Sequence, residues 1–347
     1  MYIKKILTVI ALLGLVVAAY FSYFVYSAMF KPNTAFNNES AFIYIPTNAT
    51  YENVREQLLP LLKDIDKFDA LAEQKKYVTN IKAGRYIIKK GMNNNDIINS
   101  IRSNNVPIKI SFNNQETIEK LAGRIGSQME ADSLKLVQTM FDESFLSKNN
   151  FNKATALGMY IPNSYEFFWN TSAEQFRDRM LKEYKRFWTD VRLEKAKSIN
   201  LSPSQVIALA SIVYEESKKA DEQPIIAGVY LNRLKVGMPL QADPTIKFAA
   251  YQLPENKNSV IKRVLNIHKE IDSPYNTYKY SGLPPGLITM PDVSAIDAVL
   301  NYEKHGYYYF AADVNKLGYH KFAKTLAQHN VNAREYQRYL SSQGIRK

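Results

Sequence analysis

The chain has 347 residues, 46% of them hydrophobic, enough to bury a sizeable core and to form more than one compact unit. It has no cysteine, which excludes thiol nucleophiles, disulfides and thiolate metal sites and leaves the redox compartment open. A net charge of +12 and an isoelectric point near 9.4 call for an anionic neighbour: membrane lipid, a wall polymer or nucleic acid.

The N-terminus narrows that choice. Residues 6–30 contain no charged side chain, and an apolar helix of about 20 residues crosses a hydrocarbon core of about 30 Å. Lys4 and Lys5 predict a cytoplasmic N-terminal end, and Tyr20, Tyr23 and Tyr26 suit the outer aromatic belt. The competing reading is a cleaved signal peptide. Val17-Ala18-Ala19 is a poor cleavage site, however, and the apolar run continues well past it. The expected order is a cytoplasmic tail (1–5) and a single-pass anchor in the cytoplasmic (inner) membrane (6–30). The rest then lies on the periplasmic, extracytoplasmic face, which sets nucleic acid aside as a partner.

A polar stalk (31–40) follows. Beyond it, alternation predicts a strand at 41–46, helices at 51–58 and 65–73, a strand at 84–88 and a capped helix at 94–102. This β-α-α-β-like pattern marks 41–105 as a small subdomain. Residues 106–347 read as a mixed α+β domain, with a strand at 108–112 and helices at 116–129, 132–141 and 173–187. Near the end come two strands, 307–311 and 319–322, around a turn at 313–318, then a helix at 333–340.

The most informative helix starts at Ser202-Pro203-Ser204-Gln205, a capping box with proline at the first helical position. It ends in ASIVYEES, residues 210–217, with adjacent carboxylates Glu215 and Glu216. Advancing 100° per residue puts Glu215 beside Ala208 and Ser211 on the outer face and Glu216 between Ile212 and Leu209 in the apolar arc. A carboxyl against apolar side chains resists ionisation, as a general acid must near neutral pH. The bland reading has Glu216 reaching water, or pairing with Lys218 or Lys219. A second helix (224–235) with Ile225, Ile226, Val229, Tyr230 and Leu234 on one face completes a hairpin with Glu216 near its bend. Downstream, Gln241 and Asp243 sit on a loop. Residues 273–286 and 319–330 interleave tyrosines with amides, the side chains that stack on sugars and bind hydroxyls. His268, His305, His320 and His329 show no metal-ligand spacing, and neither a G-x-S-x-G nor a phosphate loop occurs, so no metal and no cofactor is expected.

In order, ASIVYEES, AGVYLNRLKVGMPLQADPT, SPYNTYKYSGLPPG and HKFAKTLAQHN resemble the endolytic murein transglycosylases, the MltG/YceG-like family. Weaker matches lie upstream at IPNSYEFFW and AGRYIIKKGMNNNDII. The resemblance implies an N-terminal anchor, a LysM-like subdomain and a distal catalytic domain. It also implies a lyase of the cell wall acting on peptidoglycan strands, with wall-synthesis enzymes as partners. The family's essential glutamate, the second in Ala-Ser-Ile-hydrophobic-Glu-x-Glu-Thr, matches Glu216. Tyr214 stands at the first glutamate and Ser217 at the threonine. Ile161-Pro162-Asn163-Ser164-Tyr165 stands for Phe-Pro-Asp-Thr-Tyr, which makes Asn163 structural or binding rather than catalytic.

The implied chemistry uses one carboxyl group. Glu216 protonates the oxygen between N-acetylmuramic acid and N-acetylglucosamine, then takes the proton of the muramic 6-hydroxyl as it closes on the anomeric carbon. Gln241, Asp243, Asn276, Tyr278, His320 and Asn330 are the expected cleft residues, with helix capping by Asp243 and strand packing by His320 as bland alternatives. Two other functions stand beside this one: an inverting muramidase pairing Glu216 with Asp243, and a membrane-tethered glycan-binding scaffold without catalysis.

Overall fold

The computed structural model describes residues 2–256, 261 and 264–343; residue 1 of the expected tail and the end of the expected catalytic domain lie outside them. The chain is mixed α+β and divides into two compact units. One comprises the chain up to Ile110 with 128–131 and 165–172; the other holds 111–127, 132–164 and 173 onward.

The first unit opens with α1 (Tyr2–Phe30), a helix long and apolar enough to cross a membrane. Every residue from Tyr2 to Tyr23 is exposed; packing begins at Phe24, and Ser27 and Ala28 are buried. The expected stalk is not free. Pro32 bridges to Asn93 and Thr34 to Leu62. The buried Asn33 amide donates to Asp64 O and Asn94 Oδ1, both at 2.7 Å, and Asn94 donates to Ala28 O at 2.9 Å. A buried amide needs such partners, and here they lock the end of α1 to the unit.

β1 (Ser40–Ile45), α2 (Tyr51–Leu58), α3 (Ile65–Gln74), β2 (Gly84–Lys89) and α4 (Asn94–Ser103) follow. β1 and β2 pair antiparallel, Ile43 opposite Tyr86. The two-residue alternation of strands turns Ile43, Ile45, Tyr86 and Ile88 inward. Val54, Leu58, Phe68, Leu71, Ile97, Ile98 and Ile101 cover them. Asp64 and Asn93 cap α3 and α4. The chain then runs through β3 (Pro107–Phe112), α5 (Ile118–Gly126), α6 (Ser133–Met140), α7 (Glu143–Lys148) and β4 (Asn163–Phe168), with β3 and β4 paired. The helix expected at 116–129 is shortened because Thr117 caps it, accepting from the Lys120 amide.

The second unit continues with α8 (Ala173–Phe187), α9 (Asp190–Ser198), α10 (Pro203–Glu216), α11 (Gln223–Lys235), α12 (Asp243–Tyr251), α13 (Asn266–Lys269) and α14 (Val293–Leu300). It closes with the antiparallel pair β5 (Tyr309–Ala312) and β6 (His320–Ala323) and the helix α15 (Leu326–Ser342). The predicted capping box is present: Gln205 N donates to Ser202 Oγ at 3.3 Å and Ser202 N to Gln205 Oε1 at 2.9 Å.

One expectation for α10 fails. Residues Val206 to Tyr214 are all buried, Ala208 and Ser211 included. The hydroxyl of Ser211 accepts from Ile288 N at 3.1 Å, so the segment after the Gly-Leu-Pro-Pro-Gly turn covers the face that a two-sided wheel leaves wet. The same turn is also packed against the segment after α7, where a Cβ on Gly286 would meet Ala154 O at 2.0 Å. The last helix also exceeds its expected span, because Thr325 caps it by accepting from the Gln328 amide.

Candidate active site

Glu216 is the last residue of α10, where a side chain leaves the packed helix and faces open space. α11 returns antiparallel beside it, held at the bend by Gln223 Nε2 donating to Ser217 O at 3.0 Å. The space is a cleft of about 300 Å³ lined by Glu216, Tyr230, Arg233, Gln241, Asp243, Tyr278, Tyr309, Phe310, His320 and His329, among others.

The Glu216 carboxyl accepts a hydrogen bond from the hydroxyl of the buried Tyr230 at 2.7 Å. Burial pushes its pKa up to about 7; the Tyr230 bond works against that, Asp243 adds to it and Arg233 offsets it. The residue still keeps some open surface, as a group that must reach a substrate does. Burial and the adjacent carboxyl raise the Tyr230 phenol well above its ordinary range, so Tyr230 acts as a fixed donor. Glu215 differs in every respect. It is exposed, pairs with Lys218 Nζ at 2.8 Å and does not line the cleft. Tyr214 is buried under Lys218, whose ammonium lies 3.4 Å from the ring centroid, and it too stays outside the cleft.

Arg233 frames the cleft from below. Its guanidinium donates to Tyr308 O at 2.6 Å, Leu240 O at 2.7 Å and Pro239 O at 3.2 Å, tying α11 to the residue before β5 and to the loop before α12. Asn232 helps by donating to His305 O at 2.8 Å and Tyr307 O at 3.0 Å. The approach is tight at Gly228, where a Cβ would meet Glu303 O at 2.5 Å.

The loop and the tyrosine-rich segment are joined by Thr277. Its carbonyl accepts from Gln241 N at 3.0 Å, and its hydroxyl accepts from Ala242 N at 3.0 Å and meets Thr245 Oγ1 at 2.8 Å. Gln241 adopts φ 50°, a left-handed conformation rare for a residue with a side chain. Such strain persists where surrounding bonds impose it, often at functional sites. Asp243 does not cap α12, whose N-cap is Ala242. Instead it accepts from the Tyr278 hydroxyl at 2.6 Å across the cleft.

The remaining expected residues divide. His320 lines the cleft and is oriented by the buried Glu222, which meets Nδ1 at 3.0 Å and accepts from the His320 amide at 2.6 Å. That contact makes Nδ1 the nitrogen that faces the carboxylate. Asn276 is fully buried away from the cleft. Its amide donates to Lys269 O and Ile271 O, both at 2.8 Å, and its oxygen accepts from Tyr278 N at 3.0 Å. Its role is to shape the turn that presents Tyr278. Asn330 is exposed and does not line the cleft. The neighbouring His329 does, stacked on Tyr309 with ring centroids 5.4 Å apart, and burial and Arg233 hold it below the usual imidazole range. Tyr230, Arg233, Tyr309 and His329 are thus cleft residues that sequence reasoning missed. Tyr230 read as part of an apolar face because a helical wheel cannot see a hydroxyl's partner on another helix. Among the described residues no three His, Asp or Glu side chains converge as a metal-ligand set.

A model of the YceG-like family matches residues 43–335, a span that reaches into both units and includes every cleft residue named above. The chain belongs to the YceG-like family. This family member is 31% identical over 278 residues to the endolytic murein transglycosylase of Bacillus subtilis, covering 75% of this chain and 74% of that protein. It is 27% identical over 369 residues to the endolytic murein transglycosylase of Streptococcus pneumoniae, covering 96% of this chain but 65% of that protein. The chain thus spans just under two thirds of the pneumococcal relative. A solved YceG-like protein of Listeria monocytogenes has a TM-score of 0.56 at 27% identity, covering 85% of this chain and 99% of that one.

Proposed function

We propose that the protein is a membrane-anchored endolytic peptidoglycan transglycosylase in which Glu216 is the single acid and base. The observation that carries this is the Glu216 carboxyl itself, at the floor of a cleft lined by tyrosines and histidines, with a pKa raised to about 7. A carboxyl of that kind is about half protonated at neutral pH and gains or releases its proton without a large penalty, as a group that must act once in each direction requires.

In the first half-reaction Glu216 gives its proton to the glycosidic oxygen as the bond from the anomeric carbon of N-acetylmuramic acid breaks. In the second, the Glu216 carboxylate takes the proton of the muramic 6-hydroxyl while that oxygen bonds to the anomeric carbon. The glutamic acid is regenerated, no water is consumed, and the products are a 1,6-anhydro end and a free N-acetylglucosamine hydroxyl. Tyr230 orients the carboxyl. Asp243, Tyr278, Gln241 and His320 present acceptors, donors and ring surface for the flanking sugars. Asn276 acts through Tyr278.

In this reading α1 is a single-pass anchor in the cytoplasmic membrane and both units face outward. The β1-α2-α3-β2 region serves as the LysM-like glycan-holding module, and the second unit is catalytic, trimming nascent strands beside wall-synthesis enzymes. The positive net charge supports that setting, since wall peptides and lipid headgroups are anionic.

Mass spectrometry of purified glycan strands after digestion tests the assignment. The wild type is expected to leave 1,6-anhydro ends and Glu216→Gln none; undiminished anhydro products from the variant would overturn it. Asp243 in the same cleft keeps an inverting muramidase as the second reading, and reducing ends formed with one oxygen from labelled water would favour it.

A further inference from the structure

The emergence of α1 from the first unit creates a second cavity, unrelated to catalysis. It measures about 460 Å³, and Tyr20, Tyr23 and Phe24 of the helix wall one side of it. Lys31, Lys63 and Lys67 reach it from the segment after the helix and from the start of α3. The charges are unbalanced. Lys67 pairs with Asp64 at 2.7 Å, and the same carboxylate caps α3 by accepting from Lys67 N at 3.1 Å. Lys31 donates to the Tyr23 hydroxyl at 2.7 Å and lies 4.5 Å from that ring's centroid, with no carboxylate partner among the described residues. Lys63 is exposed and makes no ion pair among the described residues. Two ammonium groups therefore face a cavity whose only acid is already engaged.

The depth of the cavity indicates what belongs there. The exposed apolar stretch Ile6 to Tyr23 spans about 27 Å at 1.5 Å per residue, close to a hydrocarbon core of about 30 Å. Packing on the first unit begins at Phe24, at the level where that core ends. The cavity straddles this boundary, with aromatic rings on the acyl side and lysines on the aqueous side. Its frame is rigid, because the Asn33–Asp64–Asn94 hydrogen bonds fix the end of the helix against α3 and α4.

We propose that this cavity holds the phosphate headgroup of an anionic membrane lipid. The phosphate sits between Lys31 and Lys63, and an acyl chain runs along Tyr20 and Phe24. The proposal rests on reading α1 as a membrane anchor. It assigns the lysines a role beyond general attraction to a charged surface, because two uncompensated ammonium groups converge on one walled space of headgroup size.

Native mass spectrometry of the full chain, released from nanodiscs of phosphatidylglycerol or phosphatidylcholine, tests the site. The expected result is one retained phosphatidylglycerol per chain and no retained phosphatidylcholine. The double variant Lys31→Glu/Lys63→Glu should weaken phosphatidylglycerol retention by about 30-fold, from the usual contribution of a basic side chain near an anionic surface. Lys82→Glu, on an exposed lysine of the same unit outside the cavity, should leave it unchanged, and both variants should cleave glycan in detergent at the wild-type rate. Equal retention of the two lipids, an equal loss in Lys82→Glu, or equally tight binding of inorganic phosphate in detergent would each overturn a lipid-specific site. Release of the chain from vesicles by alkaline carbonate would overturn the anchor and the site with it. Retention in vesicles without headgroup preference would overturn the site alone and leave the anchor standing.

Discussion

Replacing Glu216 by glutamine should have opposite effects on activity and stability, and the second effect should depend on pH in a defined direction. In the unfolded chain a glutamate ionises near 4.5, whereas burial moves Glu216 to about 7 in the folded protein. Between these values the unfolded state releases a proton that the folded state keeps. The stability associated with the neutral carboxyl is therefore complete below about 4.5 and has been lost once the pH has risen through about 7. At 1.36 kcal/mol per pH unit the full interval corresponds to about 3 kcal/mol. Glu216 retains some contact with solvent, which reduces the expected figure to about 2 kcal/mol. Glutamine is isosteric, stays neutral at every pH and keeps an oxygen to accept from Tyr230. At pH 5 Glu216→Gln and the wild type should thus melt within a degree or two of each other. At pH 8.5 the variant should melt about 4–8 °C higher, given the usual conversion for a unit of this size. Over the same range the wild type's cleavage rate should fall as the pH rises through about 7, and the variant should be inactive throughout. A melting difference that stays flat from pH 5 to 8.5 would refute the raised pKa, and with it the argument that Glu216 is the proton donor.

Other perturbations probe the surroundings. Tyr230→Phe removes the hydrogen bond that holds the Glu216 pKa down, so the alkaline limb of the pH–rate profile should move to higher pH; an unmoved limb would deny the contact a role. Glu222→Gln leaves one acceptor oxygen for the two donors of His320. It should lower kcat/KM by about tenfold, with the conservative Glu222→Asp recovering part of the loss; equal rates for both variants would make the pair structural only. Gln241→Gly relieves the φ 50° conformation and should raise or preserve stability by about 0.5–1 kcal/mol. The same variant should slow glycan cleavage, and an unchanged rate would remove Gln241 from the substrate-binding set.

Local structure was readable wherever one short-range rule dominated. The Ser202–Gln205 capping box, the alternating strand expected at 41–46 and the span of α2 all came directly from spacing. Short helices without strong periodicity did not. α12 was hidden in a loop-like reading because Asp243-Pro244 looks like a turn until Ile246, Ala249 and Ala250 find a core to enter. The phase of α10 separated Glu215 from Glu216 correctly but for an incomplete reason. The helix has no wet side over Val206–Tyr214; the two glutamates part only at its last turn, where Glu216 lines the cleft and Glu215 meets the exposed Lys218. Asn276 and Asn330 show the limit for the site: an amide in a tyrosine-rich loop looks the same in sequence whether it faces a sugar or four backbone groups.

The sequence alone determined the apolar helix, the absence of cysteine chemistry, the element order of the first unit and Glu216 as the carboxyl to watch. Those features depend on composition and on periodicities of two and 3.6 residues, which are complete within a few turns of chain. Only the tertiary structure decided what surrounds Glu216. Tyr230, Arg233, Asp243 and Tyr278 come from three separate segments, and their meeting depends on Thr277 pinning one loop to another and on Arg233 gathering carbonyls from two. The pKa that makes the carboxyl useful arises from that enclosure, because desolvation is a property of everything around a group and no stretch of sequence contains it.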